Sequence, residues 1–145
     1  MIVREMRDTD CYDLVRTEQV GRLGCSRDNQ PYIVPIQFVF SENSIFSFSM
    51  PGKKIEIMRS NPRVCVEIER LSDSQHWKCV IVEGVFHEMT SKEDRQHAWE
   101  LLQVHNDWWE PGALKPGPQQ LATEHSHLYY KIEIENLTGR QAASA

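Results

Sequence analysis

The stretch Ile33-Val34-Pro35-Ile36-Gln37-Phe38-Val39-Phe40 is apolar on both of the faces that a β-strand would present. Side chains alternate across a strand, so a strand with one wet face shows a polar residue at every second position. Here one face can fill the interior of a barrel. The other needs a cover, either a partner subunit or a flat ligand. A dimer is the commoner cover, and the two are compatible. Pro35 has no N–H to give a ladder, which places it at a sheet edge or a bulge.

The segments around this stretch read as short strands separated by turns. Val20–Ser26 holds Gly21 and Gly24, a sign of bending or close backbone approach. Arg27-Asp28-Asn29-Gln30 is a turn into a strand over Tyr32–Phe40, and Ser41-Glu42-Asn43-Ser44 closes a hairpin onto Ile45–Met50. Over Arg63–Glu69, Val64, Val66 and Ile68 alternate with Cys65, Glu67 and Glu69, the pattern of a half-buried antiparallel strand. Leu71–Gln75 reads as a loop, His76–Glu88 as a long strand bent at Gly84, and Leu128–Ile134 as the last strand. Three helices are expected. Arg7–Thr17 is capped by Asp8 or Thr9, Lys53–Ser60 is stopped by Asn61-Pro62, and Lys92–Gln103 is capped by Ser91. The prediction is a mainly β fold, a six-stranded antiparallel barrel with peripheral helices.

The chain has 145 residues, which suits one domain over residues 1–140 with a frayed tail over 141–145. A formal charge of -5 argues against a nucleic-acid binder. No apolar run is long enough to span a bilayer, and the first ten residues lack a signal-peptide core, so the expectation is a cytoplasmic protein without membrane contact. Cys11, Cys25, Cys65 and Cys79 are widely spaced, as buried thiols of a reducing compartment would be. His125-Ser126-His127, with His105 or His76, is the only metal pattern in sight. Without Cys/His ligand spacing, surface histidines and no metal are the expectation.

Gly52-Lys53-Lys54 opens the second helix with two cations, where the helix dipole disfavours positive charge. A bound anion reverses that sign, and free N–H groups with two ammonium groups make a phosphate site. A solvated lysine pair after an ordinary turn is the plainer reading of this stretch alone. Ser47 and Ser49 share one strand face, with Phe46, Phe48 and Met50 on the other. From Val104 to His125 the chain is irregular, and such a long loop is commonly functional or mobile. Trp108-Trp109 in it could lid a pocket or pack on a partner.

The order Val20-Gly21-Arg22-Leu23-Gly24, Pro31-Tyr32-Ile33-Val34-Pro35-Ile36, Gly52-Lys53-Lys54, Asn61-Pro62-Arg63-Val64 and Trp77-Lys78-Cys79-Val80-Ile81-Val82-Glu83-Gly84 resembles the pyridoxamine 5'-phosphate oxidase-like flavoproteins, nearest to their nitroimidazole-resistance-type branch. The resemblance covers roughly residues 1–90, and Thr138-Gly139-Arg140 in the last strand is also similar. It implies an FMN-binding split β-barrel that forms a homodimer, with FMN in two clefts between subunits. It places Val34, Pro35, Ile36 and Gln37 against the isoalloxazine, Phe48 and Ser49 on the next strand of the site, and Lys53 and Lys54 at the FMN phosphate. Cys79 falls where relatives carry Gln or Ser near the flavin, with Trp77 on the same strand face.

The resemblance implies an FMN-dependent oxidoreductase acting on a small aromatic or nitro compound, with NAD(P)H or another donor. The flavin carries such chemistry while the protein positions it. Two departures bear on this. Phe48-Ser49-Met50 lacks the histidine that many relatives carry before the glycine turn, and the C-terminal Arg-x-His signature of true pyridoxamine phosphate oxidases is absent. That specific activity is therefore not expected, and no catalytic residue is assigned. A non-catalytic flavin carrier or sensor is the alternative, followed by a split barrel holding haem or a deazaflavin. A fold by itself does not choose among these.

Overall fold

The computed structural model describes residues 1–103 and 127–144. Among these, eight strands and three helices form a split β-barrel with helices outside. In chain order they are β1 (Ile2–Glu5), α1 (Asp8–Thr17), β2 (Val20–Arg27), β3 (Gln30–Gln37), β4 (Val39–Ser41), β5 (Ser44–Ser49), α2 (Lys53–Ser60), β6 (Arg63–Asp73), β7 (His76–Met89), α3 (Lys92–Leu102) and β8 (Leu128–Ala143). The strands pair antiparallel in the order β3-β2-β6-β7-β8-β5-β4, and β1 joins β8.

Two tight turns set the hairpins. Asp28 and Asn29 take φ of 53° and 62° between β2 and β3, and Glu42 and Asn43 take 53° and 56° between β4 and β5. Two successive positive φ angles twist a two-residue turn in the sense that right-twisted strands need. Asp and Asn adopt this conformation at small cost. The strand expected over Tyr32–Phe40 is two strands. It breaks at Phe38, which is fully buried and donates its N–H to the Gln19 carbonyl at 2.9 Å. The break lets the chain leave one end of the sheet at β3 and enter the other end at β4.

The strand count therefore rises from six to eight. β1 escaped the sequence reading because it is short and exposed along its whole length. Leu71–Asp73, expected as loop, continues β6 opposite His76–Trp77 of β7. Beyond Arg140 the chain continues in β8 as far as Ala143 rather than fraying there. Gln141 and Ala142 pair with β1 on one side and with Lys78 and Trp77 of β7 on the other, and Ala142 is buried. At α1 the expected cap is absent. Arg7 holds the N-cap position with no side-chain hydrogen bond, and Asp8 and Asp10 complement the dipole from the first turn. At α3 the Ser91 hydroxyl accepts the Asp94 N–H at 3.1 Å.

The inner faces of β2, β6, β7 and β8 supply Leu23, Val66, Ile68, Val80, Val82, Tyr130 and Ile132 to the core. α1 closes it with Cys11, Leu14 and Val15, and α2 with Ile55, Ile57 and Met58. β5 is buried on both faces. Ile45 joins the core, while Phe46 joins a second cluster with Met89, Tyr129 and Ala98 and Leu102 of α3. The ladder between β7 and β8 shifts register at Glu83–Gly84, where Glu83 pairs with Asn136 and Gly84 with Ile134. A side chain at Gly84 would meet the Glu133 carbonyl and Ile132 Cγ2. Only glycine admits that backbone approach.

Candidate functional site

β3 ends the sheet on one side, so one edge of it has no ladder partner among the described residues. Pro31 and Pro35 belong on such a strand, because an edge position needs no donor there. The Gln37 carbonyl points off this edge and accepts the Ser47 hydroxyl of β5. Backbone groups of an antiparallel strand alternate in direction, so those of Pro35 and Ile33 point the same way. The edge thus presents polar backbone between apolar side chains, a surface suited to a flat ring with hydrogen-bonding edges.

Beside it lies a cavity of about 390 Å³, lined by Val20, Pro35, Ile36, Gln37, Phe48 and Lys54. Five of the residues singled out from the sequence meet here: Pro35, Ile36, Gln37, Phe48 and Lys54. Lys54 is half-buried, and burial pushes its ammonium below the usual lysine range, with the Cys25 thiol opposing the shift. A desolvated cation at the edge of an apolar cavity gains most from an incoming anion. The N-cap residue Gly52 contributes no side-chain cap, so the first-turn N–H groups of α2 have no side-chain acceptor at that position.

The remaining candidates go elsewhere. Lys53 turns away from Lys54 into a second cavity of about 470 Å³, formed with Arg27, Asp28, Gln30, Pro31, Tyr32 and Ile57. Its Nζ lies 5.0 Å from the centroid of the Tyr32 ring. Val34 packs against the main core. Ser49 is buried and donates to the Met50 carbonyl at 2.7 Å, and buried Ser47 donates to the Gln37 carbonyl of β3, so both hydroxyls are engaged by backbone acceptors. Trp77 and Cys79 sit on β7, beyond β2 and β6 in the sheet. Cys79 lines a separate cavity with Glu5, Met6 and Arg140. Its thiol donates to Glu67 Oε2 at 3.1 Å, and burial together with that carboxylate pushes it up to about 12. A thiol held protonated in this way is a poor nucleophile.

The outward face of β2, β3 and β6 mixes exposed apolar side chains with the ion pairs of Arg22 to Glu67 and Glu69. Ile33 is 71% exposed and Val20 50% exposed, with Cys65 exposed nearby. Within the same face Glu67 Oε1 is buried without a hydrogen bond, 3.6 Å from Arg22 Nη1.

The histidines separate. His76 bonds Asp73 and Ser144, whereas His127 packs on Phe48 with ring centroids 5.8 Å apart. Burial lowers the His127 pKa, which favours the neutral imidazole. The strand before the glycine turn lacks a histidine, yet β8 brings one to Phe48 from its N-terminal flank. That proximity is invisible in sequence. Among the described residues no three His, Cys, Asp or Glu side chains are placed to hold a metal ion. His105, His125, Trp108 and Trp109 lie outside the described residues. No helix among the described residues is long and apolar enough to cross a membrane.

Comparison with known proteins agrees with this architecture. The family model described as pyridoxamine 5'-phosphate oxidase matches residues 7–141. Protein RA0666 of Rhizobium meliloti (strain 1021) is 42% identical over 148 residues, covering 99% of this chain and 98% of its own. The crystal structure of a FAD-binding protein from Mesorhizobium loti superposes with a TM-score of 0.80 at 41% identity, covering 99% of this chain and all (100%) of that one. A protein assigned provisionally to 5-nitroimidazole antibiotic resistance in Bacteroides thetaiotaomicron VPI-5482 shares the fold alone, with a TM-score of 0.74 at 15% identity over 97% of this chain and 89% of that one. By the match along nearly its whole length, the chain belongs to the pyridoxamine 5'-phosphate oxidase family.

Proposed function

We propose that this protein binds a flavin and serves as a flavin-dependent oxidoreductase for a small aromatic or nitro compound, with NAD(P)H or a similar donor. The cavity of Pro35, Ile36, Gln37, Phe48 and Lys54 carries the reading, because it sets an apolar wall, an open backbone edge and a desolvated cation side by side. Pro35, Ile36 and Phe48 hold the ring system by contact. The free β3 edge and Gln37 meet its polar rim, and Lys54 takes the phosphate. FMN supplies all these groups, and so does the FMN half of FAD; the relative from Mesorhizobium loti is described as FAD-binding. When bound, the flavin supplies hydride exchange between donor and acceptor.

In this reading the protein acts as a homodimer. Exposed Val20 lines the cavity, exposed Ile33 lies two residues from Pro35 on β3, and both find cover against a second copy. Trp77 and Cys79, remote from the cavity in their own subunit, reach it from the partner subunit.

A carrier or sensor without turnover is favoured by one observation. Among the described residues that line the cavity, Lys54 is the only one with an acid–base side chain. Purified protein decides between them. A flavin spectrum bleached by NADH or NADPH and restored by a nitroaromatic supports the enzyme. A bound flavin that neither donor reduces supports the carrier, and a preparation that takes up neither FMN nor FAD rejects both.

A further inference from the structure

Resting on the flavin reading, we infer that the cavity of Arg27, Gln30, Pro31, Tyr32, Lys53 and Ile57 is a second subsite, which takes the adenosine end of a flavin dinucleotide. The two cavities lie along the same strand, β3. One is lined by Pro35–Gln37 at the far end of β3, the other by Gln30–Tyr32 at its start. Tyr32 and Ile36 are four residues apart on one extended strand, roughly 13 Å. Between them stands the first turn of α2, with Lys54 in one cavity and Lys53 in the other.

A mononucleotide ends at its phosphate and has no group for the second cavity. A dinucleotide has two ring systems joined by a diphosphate. The adjacent lysines match the diphosphate, one ammonium for each phosphoryl group. The second cavity also offers what an adenosine needs. Tyr32 supplies an aromatic face, Pro31 and Ile57 supply apolar contact, and Gln30 and Asp28 supply polar atoms for the ribose and base edge. Arg27 adds a further cation at the rim. Lys53 covers the Tyr32 ring through a long, flexible stem. Its ammonium moves from ring to diphosphate on binding, which frees the aromatic face for the base.

The test is a titration of protein stripped of cofactor, with FMN and with FAD as separate ligands, read by calorimetry or flavin fluorescence. The wild type binds FAD at least tenfold more tightly than FMN. Arg27→Ala, at the exposed end of β2, and Tyr32→Ala each shrink that ratio at least threefold while FMN affinity stays within twofold. FMN binding as tightly as FAD, or a ratio unmoved by both substitutions, overturns the second subsite and leaves the flavin reading standing. Failure to bind either ligand overturns both.

Discussion

Lys53 and Lys54 are neighbours in the chain, yet they line different cavities: Lys53 stands over the Tyr32 ring, and Lys54 lies beside Pro35 and Phe48. Successive residues on a helix are about 100° apart, so a lysine pair at a helix start straddles whatever lies in front of it. Without ligand the pair is therefore not one cluster. Each lysine has its own burial and its own partner, and their contributions should separate on mutation.

Lys54→Met should weaken FMN binding about 10- to 100-fold, the scale of a charge-assisted hydrogen bond to phosphate. Lys53→Met should weaken it less. Affinity in the wild type should fall as pH rises through the depressed pKa of Lys54, because the ammonium is lost before the phosphate can use it. Without ligand the sign is opposite. A lysine depressed on folding makes the unfolded chain bind more protons between the folded and unfolded pKa values, so stability rises with pH across that window. Fluorescence titration and denaturant melts over the alkaline range check both statements. A Lys54→Met variant with the wild-type pH profile would sink the assignment.

Cys79 should resist alkylation in the native protein. With its thiol pushed up to about 12, only about one molecule in ten thousand is a thiolate at pH 8. Glu67→Gln should speed the reaction by removing the negative acceptor, while burial keeps the rate below that of a free cysteine. Peptide mapping after iodoacetamide labelling reads both rates. Equal labelling of the two proteins would show that the carboxylate has no hold on the thiol.

Gly84→Ala and Gly139→Ala should differ in cost. At Gly84 the new methyl meets the backbone of β8, which cannot yield without breaking the ladder. At Gly139 it meets Cys11 Sγ at 2.7 Å and Met6 Sδ at 2.9 Å, both on side chains that can rotate. The expected loss is about 3 kcal/mol or more at Gly84, at the upper end for overpacking, and about 1 kcal/mol at Gly139. Urea midpoints at constant slope give the comparison, and an equal or reversed ranking contradicts it.

Ile33→Asp should convert a dimer to a monomer and reduce flavin retention, since Ile33 projects from the face proposed for the second copy. Folding should survive because Ile33 makes no part of the buried core. Sedimentation velocity with absorbance at flavin wavelengths follows both quantities at once. A wild type that sediments as a flavin-loaded monomer removes the intersubunit reading.

Local rules made much of this molecule legible. The helix Lys53–Ser60 begins and ends where the sequence placed it, because Gly52 and Asn61-Pro62 act within a few residues of themselves. The Ser91 cap is likewise local, whereas Gly84 falls at the register shift between β7 and β8 and answers to the β8 backbone. The double apolar face of the Ile33–Phe40 segment marked a strand that lies beside a cavity. It did not reveal the break at Phe38, where a buried ring and a bond to Gln19 outweigh uniform strand propensity.

Alternation determined which side chains could share a face, and order and spacing determined the family. Only the tertiary structure decided which faces meet. It tied the Ser47 hydroxyl to the Gln37 carbonyl, sent Trp77 and Cys79 to another part of the sheet, and brought His127 onto Phe48. Those outcomes depend on strand order and helix placement, which are set by contacts between residues far apart in the chain. The same holds for Gly52-Lys53-Lys54. The sequence marked two cations at a helix start; the packing of α2 against β2, beside β3 at the sheet edge, gave each its own cavity.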